Sequence, residues 1–534
     1  MNNVWKPARV IISVMTLILL AFVFLDFRQT VGSPWYQAIT WLQFAPSVSK
    51  FLIAAGVLSA GFILVILLTL IFGRVYCSTV CPLGIMQDVI SFFSKKFRKK
   101  KFRYKYAGPK NMLRYPFLAL AVVPLFFGSV ILLGLLEPYS SFGRIISGLG
   151  QPLFMGANNL LAGLLIRIKI YQVFPETLPH IELAALAYPI AILGLITVLA
   201  SRWGRLYCNT ICPVGTFLGV LSRFSLFRIR IDKSSCTRCA KCTVVCKAQC
   251  IDLKDQSVDF SRCVGCFNCI HSCRDNSIGY KPAFPAKTEK GSNMKMVTPL
   301  QAKPDSTDRS KRQFLSDSFL LTGAVIGISR SLKAGEAKSA SGKDLIPVVK
   351  EYPCSPPGSI SLSHFNDVCT ACHLCVSACP NGVLRPSLLQ YGLQGFMQPY
   401  MDATSGYCNF DCLICGEICP TGAILPLTLE EKQVTQVGTV KFVKENCIVH
   451  TDETLCGACS EHCPTKAVKM VPYKDDLNIP EVAPDLCVGC GACEYACPVR
   501  PHRAIYVDGQ PIQQIAKLPV VEKSKEGTLE EFPF

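Results

Sequence analysis

"CTRCAKCTVVC", residues 236–246, places four cysteines in a fixed C-x2-C-x2-C-x3-C rhythm. The rhythm returns in "CVGCFNCIHSC" (263–273), "CTACHLCVSACP" (369–380) and "CVGCGACEYACP" (487–498). Two more stretches keep the grouping with a wider first gap: "CNFDCLICGEICP" (408–420) and "CIVHTDETLCGACSEHCP" (447–464). Of the 30 cysteines, 24 fall into these six groups, so the groups and not the solitary cysteines decide the fold.

Three thiolates spaced two residues apart wrap one face of a [4Fe–4S] cubane, and the remaining iron takes a cysteine from another group, often one followed by a chain-turning proline. Zinc joins separate C-x2-C units and disulfides need an oxidising compartment, so both fit this repetition poorly. Six clusters in three ligand-exchanging pairs are expected. The cofactor-binding residues are Cys236, Cys239, Cys242, Cys246, Cys263, Cys266, Cys269 and Cys273 in the first pair, with Cys273 completing the first cluster and Cys246 the second. Later in the chain they are Cys369, Cys372, Cys375, Cys379, Cys408, Cys412, Cys415, Cys419, Cys447, Cys456, Cys459, Cys463, Cys487, Cys490, Cys493 and Cys497. Here the preferred pairing is nested, the two stretched groups together and the two regular ones closing around them.

The rest of the chain is oily. At 534 residues and 50% hydrophobic, it is too long for one domain and too apolar to be wholly soluble. Residues 1–340 hold 41 Lys/Arg against 15 Asp/Glu, whereas 341–534 hold 14 against 22. The positive excess flanks apolar runs, the pattern of cytoplasmic loops, which leaves nucleic acid an unneeded partner. Four runs approach the roughly 20 residues that a spanning helix needs: Val10–Leu25, Phe51–Phe72, Tyr115–Leu136 and Ile181–Ala200. Between the second and third, "KKFRKKKFRYK" (95–105) carries eight basic residues in eleven. That loop, and both ends of the block, then read as cytoplasmic, and four crossings satisfy all three. Ile145–Ile166 is uncharged but would break this parity, so a re-entrant or interfacial segment is expected there. The first run lacks a cleavage site and reads as a retained anchor.

Two near repeats stand apart, "GRVYCSTVCPLG" (73–84) and "GRLYCNTICPVG" (204–215), each following an apolar run. Cys77, Cys81, Cys208 and Cys212 are expected at one depth on the cytoplasmic membrane edge, related by a pseudo-twofold axis, as a metal or redox site. Cys250 reads as a possible support for a cluster and Cys354 as a free thiol. No histidine lies within the four runs, which rules out haem held by paired helix histidines. Glu137 and Glu182 fall at the expected outer edge, where a carboxylate takes up protons or simply ends a helix in solvent. No nucleotide or flavin fingerprint opens a helix, and no substrate pocket is legible.

Residues 1–285, with four apolar runs, two C-x3-C-P motifs and two cluster motifs, resemble the NapH-type membrane ferredoxins. Residues 305–534 resemble the NapG/MauM-type polyferredoxins. "SKRQFL" (310–315) is similar to the twin-arginine export signature, with Lys311 in place of the first arginine, and a short apolar run follows it. The resemblance implies an α-helical membrane domain plus α+β bacterial ferredoxin-like domains, two-cluster and four-cluster. The domains expected are 1–230 (membrane), 231–285 (two clusters), 286–340 (linker with the export-like segment) and 341–534 (four clusters). It further implies a multi-pass protein of the bacterial inner membrane with its terminal domain in the periplasm. Its partners would be membrane lipid, membrane quinol and a periplasmic reductase or electron carrier. A quinol-dehydrogenase-like electron-transfer role follows; the competing expectation is a ferredoxin that serves maturation or redox regulation of another metalloenzyme.

Overall fold

The computed structural model describes residues 4–53, 56, 59–97, 103–178, 182–283 and 345–517. The linker at 286–340 and its twin-arginine-like segment lie outside the described residues. Two bodies rich in cysteine cap opposite ends of a bundle of apolar helices.

The helix Trp5–Leu25 shows the arrangement most directly. At its start, the Trp5 ring lies 5.9 Å from Phe267 and 5.7 Å from Tyr280 of the first cysteine body. Just beyond its end, the Gln29 amide donates to the Ala378 carbonyl of the second body at 2.8 Å. The helix Leu183–Trp203 runs the other way. Tyr188 packs 6.1 Å from Phe396, and beyond the far end the Arg205 N–H donates to the Lys247 carbonyl at 3.0 Å.

The two other apolar runs also reach both bodies, but not as single helices. The second is helical over Phe44–Ile53 and Gly61–Phe72. Ile53 touches Gly422 at one end, and the Phe72 carbonyl accepts from Tyr280 Oη at 2.8 Å at the other. The third is divided into Asn111–Val122, a 3-10 turn over Val123–Phe127 and Ile131–Leu136. Pro124 lacks an N–H to continue the ladder and Gly128 closes the turn at φ 76°. Arg114 donates to Ser261 O at 2.9 Å on one side, while Gly134 packs on the Thr370 backbone on the other.

Ile145–Ile166, expected as a re-entrant or interfacial segment, is helical throughout. It belongs to a 30-residue helical stretch, Pro138–Arg167, with a π turn at Ile146–Gly150. By length and composition this is one of three candidate membrane spans among the described residues, beside Trp5–Leu25 and Leu183–Trp203. Near its start it meets the second cysteine body, where Gln151 Nε2 donates to Ser377 O at 2.7 Å and Gly143 packs on the Cys372 carbonyl, while Asn158 and Asn159 donate to the Phe174 and Glu176 carbonyls at 3.0 and 2.7 Å.

The first body is built on a hairpin, Phe227–Ile231 antiparallel to Ile278–Pro282, holding two short helices that begin just before a third cysteine. In the second body Thr435–Phe442 pairs with Ile505–Ile515, and Val468–Pro472 with Asn478–Val482. These short ribbons expose too little apolar surface to make an ordinary core, and cysteines supply much of what is buried.

Candidate iron-sulfur centres

None of the 30 cysteines is joined in a disulfide. The four regular groups share one backbone device. In each, the residue before the second cysteine and the residue after it have positive φ: Arg238 and Ala240, Gly265 and Phe267, Ala371 and His373, Gly489 and Gly491. Such turns aim successive N–H groups into a concavity that suits an anionic iron–sulfur centre. Gly489 N–H thus donates to the Cys487 sulfur at 3.3 Å. Five of these residues are not glycine and accept the cost of a left-handed backbone.

The groupings emerge from which thiols face one another. Cys246 stands with Cys263, Cys266 and Cys269, away from its own motif, as the exchange of fourth ligands requires. Cys236, Cys239 and Cys242 stand together. In the second body Cys419 joins Cys369, Cys372 and Cys375, while Cys379 joins Cys408, Cys412 and Cys415. Cys497 completes a cavity with Cys447, Cys456 and Cys459, and Cys463 faces Cys487, Cys490 and Cys493. Pairing is therefore sequential, and the nested expectation is corrected. The wide first gap of a stretched group is absorbed locally: Ile448–Thr451 forms one helical turn inside the gap of 447–456.

Burial pushes the Cys372, Cys459 and Cys490 thiols up to about 12. Ionised sulfur is thus costly at these positions unless iron takes it as a ligand. Among the described residues no three His, Cys, Asp or Glu side chains converge closely enough for a single metal ion.

The two C-x3-C-P repeats meet in the interior. Gly73 (φ 76°) and Gly204 (φ 68°) end the preceding helices and turn the chain back. A short helix then carries Cys77, or Cys208, inward, and Cys81, or Cys212, stands just before a second helix that leads away. Each cysteine is 3% exposed, and the four interact as one set, which places them inside the bundle rather than at its edge. The halves are cross-tied: Arg74 donates to Cys208 O at 3.1 Å and Arg205 to Cys77 O at 2.7 Å. Each guanidinium also approaches a sulfur at 3.8 Å, Arg74 that of Cys77 and Arg205 that of Cys208. Gly84 and Gly215 leave room for these arginines, since a Cβ at either would strike the partner repeat's guanidinium or the nearby cysteine carbonyl. Asp88 anchors one side through Arg9, Arg205 and Lys247 at 2.8, 2.9 and 3.1 Å. Burial pushes its carboxyl up, but the three cations outweigh burial and hold it well below the usual carboxylate range.

One buried core runs without a break from Cys242, Cys246 and Cys263 through Tyr76, Cys77, Cys81, Tyr207 and Cys212 to Tyr139 and Cys372. Glu137 lies on this route, 1% exposed, and accepts from the Tyr139 N–H at 2.8 Å as a helix cap. Glu182 precedes the helix Leu183–Trp203 without capping it. Sequence reasoning missed Arg144, which is fully buried with Nε and Nη1 lacking any partner. Its Nη2 donates to Gly134 O at 2.6 Å, the guanidinium sits 4.8 Å over the Tyr188 ring, and its charge acts on Cys369 and Cys372. An orphaned buried cation beside these thiols fits an anionic [4Fe–4S] centre as its counter-charge. Cys250 is equally placed, its sulfur 3.7 Å from that of Cys246; that hydrogen bond pulls the Cys246 thiol down to about 7. Cys354 is buried beside no cysteine group that pairs with it.

Comparison with known families agrees with this chemistry. A 4Fe-4S dicluster domain profile matches residues 368–424, spanning two sequential groups, and a second matches 454–500, from Cys456 through the last group. A 4Fe-4S binding domain profile matches 54–100 and 185–233, the two C-x3-C-P repeats with their preceding helices. The ferredoxin-type protein NapG of Escherichia coli (strain K12) is 31% identical over 209 residues, 37% of this chain and 83% of the relative. NapF of the same organism is 30% identical over 152 residues, 28% of this chain and 84% of the relative. The chain belongs to the NapG and NapF group of ferredoxin-type proteins. MauM of Methylophilus methylotrophus, a methylamine utilization ferredoxin-type protein, is 33% identical over 150 residues, 27% of this chain and 65% of the relative. No solved structure matches. Each of these NapG-, NapF- and MauM-like matches covers well under half of the chain, so an iron–sulfur electron-transfer character is established while the helical half lends this member something further.

Proposed function

We propose that this ferredoxin-type protein is a membrane electron conduit that takes electrons from quinol and delivers them to a periplasmic acceptor such as a reductase. The observation that carries the proposal is the continuous buried core joining two cysteine bodies at opposite ends of four apolar runs. In this reading the runs cross the inner membrane, the first body faces the cytoplasm and the second the periplasm. Six [4Fe–4S] clusters are held by the six quartets, Cys273 joining Cys236, Cys239 and Cys242. Cys77, Cys81, Cys208 and Cys212 hold a further cluster midway, with Arg74 and Arg205 offsetting its charge.

When bound, these centres supply one-electron transfer. The chain's own groups order them: Cys408 N–H donates to Cys490 O at 2.9 Å and locks two quartets of the second body side by side. Burial excludes water along the core, which reduces the solvent reorganisation that accompanies each one-electron step. Protein purified without oxygen and held in lipid nanodiscs tests the reading. It should contain roughly 24 Fe and 24 acid-labile sulfide from six clusters, with more if the midway site is loaded. A reduced quinone analogue should bleach the cluster absorbance. Stoichiometric zinc with little sulfide would refute the cofactor assignment.

A further inference from the structure

A cleft of about 390 Å³ opens where the helical half meets the second cysteine body. Phe27, Gln151 and Glu176 line it from the helical side; Cys379, Arg385 and Tyr407 line it from the other. Neither half forms it alone. We propose that this cleft is the quinol-oxidation site, so that electrons enter partway along the chain of centres, at the quartet containing Cys379. The inference rests on the quinol reading above and adds the place and the chemistry.

Three features select a membrane quinol. The cleft lies beside apolar helix: Leu153 and Phe154, on the same helix as Gln151, are 75% and 50% exposed, and the Phe154 ring lies 6.2 Å from that of Phe27. A lipid tail therefore has an apolar surface to follow while a flat ring enters between aromatic walls. Cys379 forms part of the wall itself, so an electron leaving the ring has the shortest route through a ligand of the quartet with Cys408, Cys412 and Cys415. Glu176 supplies the proton acceptor: its side chain is 40% exposed and meets Arg28 at 3.5 Å, a contact that orients the carboxylate without closing it off from water.

The step balances as follows. Both quinol O–H bonds break. One proton passes to the Glu176 carboxylate and the other to water at the cleft mouth. The two electrons would leave one at a time toward the centre that Cys379, Cys408, Cys412 and Cys415 would hold, which supplies one-electron acceptance when bound, and quinone departs. Both protons are released on the side of the second body. From Cys379 electrons divide between the quartets of that body and the inward route through Tyr139 and the C-x3-C-P cysteines. The cytoplasmic pair of centres then becomes a branch, and quinol does not need it as an entrance.

Binding and electron entry separate in one experiment on the cluster-loaded full chain in nanodiscs. The fluorescent quinol-site ligand 2-heptyl-4-hydroxyquinoline N-oxide reports occupancy; bleaching by decyl-ubiquinol or menadiol reports electron entry; dithionite reports intact clusters. Thr177 is an exposed residue of the cleft rim. Thr177→Trp should weaken ligand binding at least about tenfold and slow quinol bleaching in proportion, leaving dithionite bleaching unchanged. Glu176→Gln should bind the ligand nearly as the parent does yet bleach with quinol roughly a hundredfold more slowly. If both variants bind and bleach like the parent, the cleft is not the entrance although the quinol reading stands. If the parent bleaches with dithionite and never with quinol, the donor assignment itself falls and the site with it.

Discussion

Arg144 is the residue on which the electrostatics of the second body turn. A fully buried guanidinium with two nitrogen positions unpartnered is among the costliest groups a protein can hold, unless an anion stands beside it. Neighbouring Glu137 is committed to capping its own helix through Tyr139 and Ser140. The remaining negative charge belongs to the quartet of Cys369, Cys372, Cys375 and Cys419. A positive charge there favours the reduced form of the centre. Arg144→Gln should therefore lower the midpoint potential of one centre by roughly 59 mV, a tenfold change in a one-electron equilibrium, while Arg144→Lys should restore much of it. Potentiometric titration followed by electron paramagnetic resonance reads this directly. An unchanged set of potentials in the glutamine variant, with all clusters present, would remove Arg144 from any role at this centre.

At the scale of elements, the C-x2-C-x2-C loops were legible because their chemistry is local. The rhythm of 236–246 or 487–497 dictates both the ligands and, through the positive φ at residues such as Ala240 and Gly491, the shape of the loop. Which distant cysteine completes a quartet is a tertiary matter, and equal spacing in 369–379 and 487–497 gives no hint that each pairs with its stretched neighbour. The same limit applied to the C-x3-C-P repeats. Their kinship could be read from the sequence, but not that Gly73 and Gly204 turn both inward to cross-tie Arg74 and Arg205. Nor does composition reveal that Pro138–Arg167 meets the second cysteine body near its start, because hydropathy measures burial from water and not which neighbour does the burying. Sequential pairing predicts an outcome that nesting does not. Cys419→Ser should damage the centre of Cys369, Cys372 and Cys375 while sparing that of Cys408, Cys412 and Cys415; Cys379→Ser should do the reverse. Iron content with cluster-resolved spectra of the two variants checks it, and loss of a centre from the 447–497 half in either would contradict the pairing.

For the whole molecule, two cysteine bodies at opposite ends of the apolar runs would raise a problem of biosynthesis if those runs cross a membrane as proposed. Clusters are inserted in the cytoplasm, and a folded, cluster-bearing domain cannot thread across a bilayer as an extended chain. "SKRQFLSDSFLLTGAVIGI", residues 310–328, stands where a signal for transport of a folded domain would be needed, between the last residue of the first body and the first of the second. The charge balance agrees in sign, basic before the segment and acidic after it. If this segment directs twin-arginine export, a tag at Phe534 should be open to protease in spheroplasts and one inserted near Lys287 should stay protected. Replacing Lys311 and Arg312 together with uncharged residues should strand the terminal body inside with its clusters full, because metallation comes before crossing. That combination, protected yet loaded, separates a transport defect from a folding defect. A terminal tag already protected in the unmodified protein would put both bodies in the cytoplasm, and the electron acceptor would then have to be sought there.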